Sequence, residues 1–323
     1  MNILVVRNDK LGDFITALPA IYVLKQHNCE NKIIVCVSPL NKTLAESISF
    51  IDEVIVDDTN SAISLSRKFK QKDIDVSITL FSNTKVALAQ FLAGIKIRIA
   101  PATKIAQIFY NRRIKQRRSQ VKMTEYQYNL ELTKALFKDI KLDFPSPLVT
   151  IDEKDKRKTF DGFIEKYNIK QDKKVIAFHP GFGGSSDANW TIDEYIELAK
   201  LLLDKKEYQI VFTFGPGEED LYNSVANASL ENVVLYKSKG SIMDFARLIS
   251  SFKLFISTST GTYHLAAMVG TPTMTFFADT LFASSKRWKS ISDKNIQMNR
   301  MIPLEKEKRD DFFERIKKEI ASI

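Results

Sequence analysis

The chain is poor in the residues that build disulfide and metal scaffolds. Its 323 residues include two cysteines, Cys29 and Cys36, and three histidines, His27, His179 and His264. Two thiols are too few for a disulfide framework or a cysteine-held metal cluster, and a reduced, cytosolic state fits them. The histidines are too dispersed for a zinc site, and no metal is expected. No apolar run approaches the ~18–20 residues that a membrane span needs. The N-terminus enters a strand at Asn2 and meets Arg7, Asp9, Lys10 and Asp13 early, so a signal peptide is not expected. Standard catalytic and nucleotide signatures are missing too. There is no Gly-x-Gly-x-x-Gly fingerprint, no P-loop with Gly-Lys-Ser/Thr and no Gly-x-Ser-x-Gly elbow. Asp73-Ile74-Asp75 is a D-x-D pair, but it precedes an alternating strand and reads as a polar strand entry rather than a metal site.

Acidic residues are in deficit, and the net charge is +9. That excess calls for an anionic partner: nucleic acid, a phosphorylated lipid or sugar, or an anionic membrane surface. Composition does not choose among them. Hydrophobic content of 44% with 27% charged residues belongs to a globular protein, and the length predicts two domains.

Alternating strands and helices run through both halves. In the first, strands are predicted at 2–7, 32–37, 54–56, 76–80 and 96–100, with helices at 14–26, 42–49, 62–70, 84–92 and 126–137. Pro19 is expected to kink or restart the first helix. Basic residues then gather without an acid between Arg98 and Lys122, including Lys104, Arg112, Arg113, Lys115, Arg117 and Arg118. The stretch 143–158, with Pro145 and Pro147, reads as the inter-domain linker and the lead-in to a helix. The second half restarts with strands at 175–178, 209–214, 233–236, 254–256 and 273–277. Helices are predicted at 191–203, 242–250 and 310–320, the first opened by a Thr191/Glu194 capping box. This alternation predicts two doubly wound parallel sheets with right-handed crossovers.

Three strand-to-helix turns are candidates for chemistry. In Asn8–Asp13, Gly12 permits a tight turn. Asp13 is either a helix cap or a carboxylate placed as a general base. His179-Pro180-Gly181-Phe182-Gly183-Gly184-Ser185-Ser186 gives backbone amides access to a phosphate or sugar, or is simply a long connection. The third, Ser257-Thr258-Ser259-Thr260-Gly261, stops a strand and starts a helix that ends at Gly270 and Pro272. Its free amides and helix dipole suit an anion, although Ser and Thr also cap helices. His264, in the first turn, is placed to donate to a phosphate or simply to pack.

Together, ILVVRNDKLGDFITALPAI, FHPGFGGSSDANWTIDEYIELAKLL and STSTGTYHLAAMVGTPTMTFF resemble glycosyltransferase family 9, the bacterial heptosyltransferases of lipopolysaccharide core assembly. The resemblance implies a GT-B fold, an α/β pair of Rossmann-like domains facing across a cleft. Residues 1–150 would bind the acceptor and 151–323 the nucleotide sugar, with the last helix able to pack back on the N-terminal domain. It implies inverting transfer by direct displacement, with no cofactor beyond the donor co-substrate, at the cytoplasmic face of the inner membrane. Asp13 becomes the base. His179, Gly181, Gly183, Gly184, Ser185, Glu218, Ser259, Thr260, Gly261 and His264 become donor contacts. Arg7, Lys10, Gly12, Arg112, Arg113, Arg117 and Arg118 become contacts to an anionic glycolipid. Two positions depart from the family pattern: Ser259 stands where Asp is common, and Ala188 where Lys is common, with Lys237 or Lys239 left to supply the charge. An inactive relative that binds sugar nucleotide, and a nucleic-acid binder suggested by the charge, are the rival readings. No helix-turn-helix or base-stacking motif supports the latter, and no nucleic-acid partner is expected.

Overall fold

The structure is a computed structural model that describes residues 1–103, 105–182 and 188–323. Lys104, Gly183, Gly184, Ser185 and Ser186, named above, lie outside the described residues.

The chain forms two compact units, Met1–Pro145 and Ser146–Ile323. Residues 146–150 therefore belong with the second unit, and the Val149 N–H donates to the Met268 carbonyl there at 3.2 Å. In the first unit, β1 (Asn2–Val6) leads into α1 (Leu11–His27), followed by β2 (Lys32–Val37), α2 (Lys42–Glu46) and β3 (Glu53–Val56). Then come α3 (Ala62–Lys70), β4 (Val76–Thr79), α4 (Thr84–Leu92), β5 (Ile97–Pro101), β6 (Arg112–Ile114) and α5 (Glu125–Thr133). The second unit opens with α6 (Glu153–Lys166), β7 (Lys174–His179), α7 (Ile192–Leu203), β8 (Tyr208–Phe214), α8 (Glu219–Asn227) and β9 (Val233–Lys237). It continues through α9 (Ile242–Ile249), β10 (Leu254–Thr258), α10 (Gly261–Met268), β11 (Thr273–Ala278), α11 (Ser285–Trp288), β12 (Gln297–Ile302) and α12 (Lys306–Ala321).

The sheets run β3-β2-β1-β4-β5-β6 and β12-β11-β10-β7-β8-β9, and every pairing is parallel. Numbered within its own unit, each sheet has the order 3-2-1-4-5-6 of a dinucleotide-type fold. Each therefore has one point where the winding reverses, between β1 and β4 in the first and between β7 and β10 in the second. Strands such as Val5–Val6 and Leu254–Thr258 are buried throughout because helices cover both faces of a parallel sheet. The first core packs Leu4, Val6, Ile34, Cys36, Ile55 and Phe69, so Cys36 is a core residue.

Of the kink or restart expected at Pro19, the restart does not occur: α1 runs as one helix from Leu11 to His27 with the proline inside it. Near the ladder position that proline weakens, the Thr16 carbonyl accepts from the buried Asn129 amide of α5 at 3.1 Å. The closing helix α12 packs in the core of its own unit. Phe313, Ile316 and Ile320 enter the second core beside Trp190 and Tyr195, and Lys317 pairs with Glu197 of α7 at 2.8 Å. Burying each of these three side chains stabilises that placement by about 1.5–3 kcal/mol. Among the described residues no helix is long and apolar enough to cross a membrane.

Candidate active site

In the first unit, the chain leaves β1 at the reversal point and places a charged cluster at the carboxyl edge of the sheet. Arg7 follows the strand directly and is only 3% exposed. Its Nε donates to Asp9 Oδ1 at 2.9 Å, its Nη1 to Glu125 Oε1 at 3.1 Å and its Nη2 to Asp13 Oδ1. Arg118 adds a second guanidinium, with Nη1 donating to Glu125 Oε1 at 2.6 Å and Nε to Gln116. Burial works to lower the Arg7 pKa, but Asp9, Asp13 and Glu125 overcome it and hold it above the ordinary value. Burial pushes the Asp9 carboxyl up to about 6, with Arg7 opposing and Asp13 adding to the rise.

Asp13 sits in the first turn of α1, where Lys10 is the N-cap residue and no side chain caps the helix. Its carboxylate takes the Arg7 guanidinium instead of a helix amide, so the cap reading fails and a positioned, partly exposed carboxylate remains. Lys10 is exposed and Gly12 buried in the same turn. Arg7 and Arg118, expected on the acceptor, are engaged internally. Arg112, Arg113 and Arg117 are exposed. Strand β6 lies three positions from β1, roughly 14 Å across the sheet at the usual strand spacing. The basic stretch thus divides into an inner member, Arg118, held on Glu125, and an outer group at the sheet edge. Glu125, the hub between both arginines, carries no sequence signal beyond its place after the Thr124 cap.

In the second unit, the reversal point brings two of the candidate turns together, because His179 of β7 pairs in register with Ser257 of β10. His179 is buried, with Nδ1 3.0 Å from Thr213 Oγ1 and Nε2 3.9 Å from Glu218 Oε1. Burial lowers its pKa, and Glu218 pulls the other way. Glu218 accepts from the Gly215 N–H at 2.7 Å. The bare Gly181 makes room for the Glu218 carboxylate: a Cβ there would lie 1.8 Å from Glu218 Oε1.

Thr260 is the N-cap residue of α10, yet its side chain makes no cap hydrogen bond. Its hydroxyl lies 2.7 Å from that of Thr262 instead. The start of this helix, at the positive end of its dipole, suits an anion. Ser259 donates its N–H to the Phe276 carbonyl at 2.9 Å, and Thr258 donates its hydroxyl to Asn189, a residue the sequence did not flag. His264 is buried with Nδ1 unpartnered, and burial pushes its pKa down to about 3. Lys237 pairs with Glu219 and lies over the Tyr222 ring, whereas Lys239 is exposed. Among the described residues no cluster of His, Cys, Asp and Glu has the makings of a metal site.

Residues 62–316 match glycosyltransferase family 9 (heptosyltransferase). The chain belongs to this family. A Haemophilus influenzae protein, provisionally named a glycosyltransferase, is 36% identical over 299 residues, covering 90% of this chain and 86% of its own. Lipooligosaccharide heptosyltransferase 2 of Campylobacter jejuni is 23% identical over 300 residues, with 90% and 84% covered. Among solved structures, E. coli ADP-heptose lps heptosyltransferase II superposes with a TM-score of 0.80 at 20% identity, over 100% of this chain and 98% of that one. E. coli heptosyltransferase WaaC with ADP gives 0.72 at 20% identity, over 98% and 100%. The GT-B fold expected from the sequence is therefore the fold of this glycosyltransferase, and the family enters with its activity: sugar transfer.

Proposed function

We propose that this glycosyltransferase moves a heptose, or a related sugar, from a nucleoside diphosphate onto a lipopolysaccharide or lipooligosaccharide core. ADP-heptose is the favoured donor, and the reaction takes place at the cytoplasmic face of the inner membrane. The observation that carries the reading is the start of α10 at the reversal point of the second sheet, where the Thr260 side chain makes no cap, beside His179 and Glu218. The Thr260 and Gly261 amides meet the diphosphate and stabilise its growing charge as it leaves, so no metal is needed. Neutral His264 donates one N–H, and Glu218 takes the ribose hydroxyls. On the acceptor side, Asp13 removes the proton from the attacking hydroxyl. That oxygen bonds to the anomeric carbon as the carbon–phosphate-oxygen bond breaks, inverting the centre in one step. Arg7 fixes the Asp13 carboxylate by a charge-assisted bond.

The names of the Campylobacter and E. coli relatives support the heptose and the ADP. Ser259 and the paired state of Lys237 favour a second reading, a relative that binds the nucleotide sugar without transfer. A thermal-shift panel decides the donor: ADP and ADP-heptose are expected to raise the melting temperature. A response to UDP or GDP alone removes the heptose, silence removes both readings, and stabilisation without turnover favours the second. Turnover on truncated core acceptors in the presence of a chelator then tests transfer. There Asp13→Asn is expected to lose about 10²–10⁴-fold in rate with donor stabilisation intact. An unchanged rate removes Asp13 as the base.

A further inference from the structure

The first unit carries an apolar surface that the transfer chemistry does not use. After β5 the chain makes a 3-10 turn over Ile105–Phe109, which packs on α4. Ile105 and Ile108, three residues apart, share one face of that turn and are 79% and 66% exposed. Phe91 and Leu92, at the end of α4, are 51% and 39% exposed, and the Phe91 ring meets that of Phe109 at 5.8 Å. Scattered exposed hydrophobes are ordinary, but these four sit on two elements in contact, joined through the Phe91–Phe109 ring pair.

Its electrostatic setting is one-sided. No Asp or Glu occurs between Asp75 and Glu125, a segment that holds α4, the turn and β6. Lys96, Arg112, Arg113, Lys115, Arg117 and Lys122 are exposed within it. Strand β6 is the outer strand of the sheet, so Arg112 and Arg113 stand at its open edge. Large bare aliphatic side chains on a stretch of chain that holds cations and no acid complement an anionic lipid surface: alkyl groups enter the acyl boundary while guanidinium groups meet phosphates. A nucleic acid would have no use for Ile105 and Ile108, and a protein partner would have to answer the cations with acids of its own.

We infer that Phe91, Leu92, Ile105 and Ile108, flanked by the β6 arginines, form the face by which the enzyme docks on an anionic bilayer. The inference gives a surface to the membrane association proposed above and rests on that reading for its purpose, though its test needs no donor sugar. Cosedimentation with phosphatidylglycerol/phosphatidylethanolamine vesicles is compared with phosphatidylcholine vesicles. Wild-type protein is expected to bind the former and not the latter. Ile105→Ser/Ile108→Ser should weaken binding about tenfold or more, while turnover on a water-soluble acceptor stays unchanged. Arg112→Ser/Arg113→Ser should weaken it about 30-fold at low salt, a difference that closes as salt rises. Wild-type protein that ignores anionic vesicles, or variants that bind them equally well, overturns the inference. So does a dimer in sedimentation velocity that the isoleucine substitutions dissociate, which would assign the face to a second copy. A wrong donor assignment would show in the thermal-shift panel and leave these vesicle results standing.

Discussion

Arg7 is almost wholly buried and holds three carboxylates, one of them the proposed base. A buried charge is tolerated only when paired, so its value lies in what its loss would strand. Arg7→Ala leaves Asp9, Asp13 and Glu125 facing one another, and an unfolding free energy lower by about 3–5 kcal/mol is expected in urea denaturation. His264 gives a pH signature. Burial holds its folded pKa at about 3, below the unfolded value of 6.5, so the unfolded chain takes up the proton first as pH falls. The stability is complete above 6.5 and is lost as pH falls through that window, on the order of 4 kcal/mol by pH 3. His264→Gln should flatten that part of the stability-against-pH curve, and an unaltered slope would remove the buried neutral imidazole as its source.

Among the elements, caps were read where residue chemistry is local. Thr191 and Glu194 form the capping box that their spacing announces, with the Glu194 N–H donating to Thr191 Oγ1 at 3.2 Å. Gly270, with φ of +82°, ends α10 in the left-handed conformation expected of it. Strands β6 and β12 give no sequence signal, because RRI and QMNRMI carry the polar residues of sheet edges and show no apolar run. The Gly181 turn makes a test at this scale. Gly181→Ala meets only the far end of the flexible Glu218 side chain, which can rotate away. The fold should therefore persist, while the stabilisation by nucleotide falls to that of Glu218→Gln. An unchanged nucleotide response would show that the Glu218 carboxylate is not used.

Across the molecule, each unit has its own six-stranded sheet and its own core, so ligands should act on them separately. Amide hydrogen exchange with bound nucleoside diphosphate is expected to slow in 179–182, 215–218 and 258–264. It should leave 7–13 unchanged. Protection confined to the first unit would reverse the donor and acceptor assignments.

The alternation of apolar runs with amphipathic stretches determined two doubly wound sheets by itself, because period and turn chemistry are properties of neighbouring residues. The same locality exposed Asp13, His179, Thr260 and Gly261, each of which ends a strand or begins a helix. Only the tertiary structure decided that Arg7 and Arg118 turn inward to Glu125, 118 and 7 residues away from it in the chain, rather than outward to a ligand. It also decided that Arg112 and Arg113 stand at the far edge of the sheet, and that α12 closes the second core. Charge in a sequence is legible, but its direction is not: a guanidinium faces water or a buried carboxylate according to which distant strand or helix the fold brings beside it.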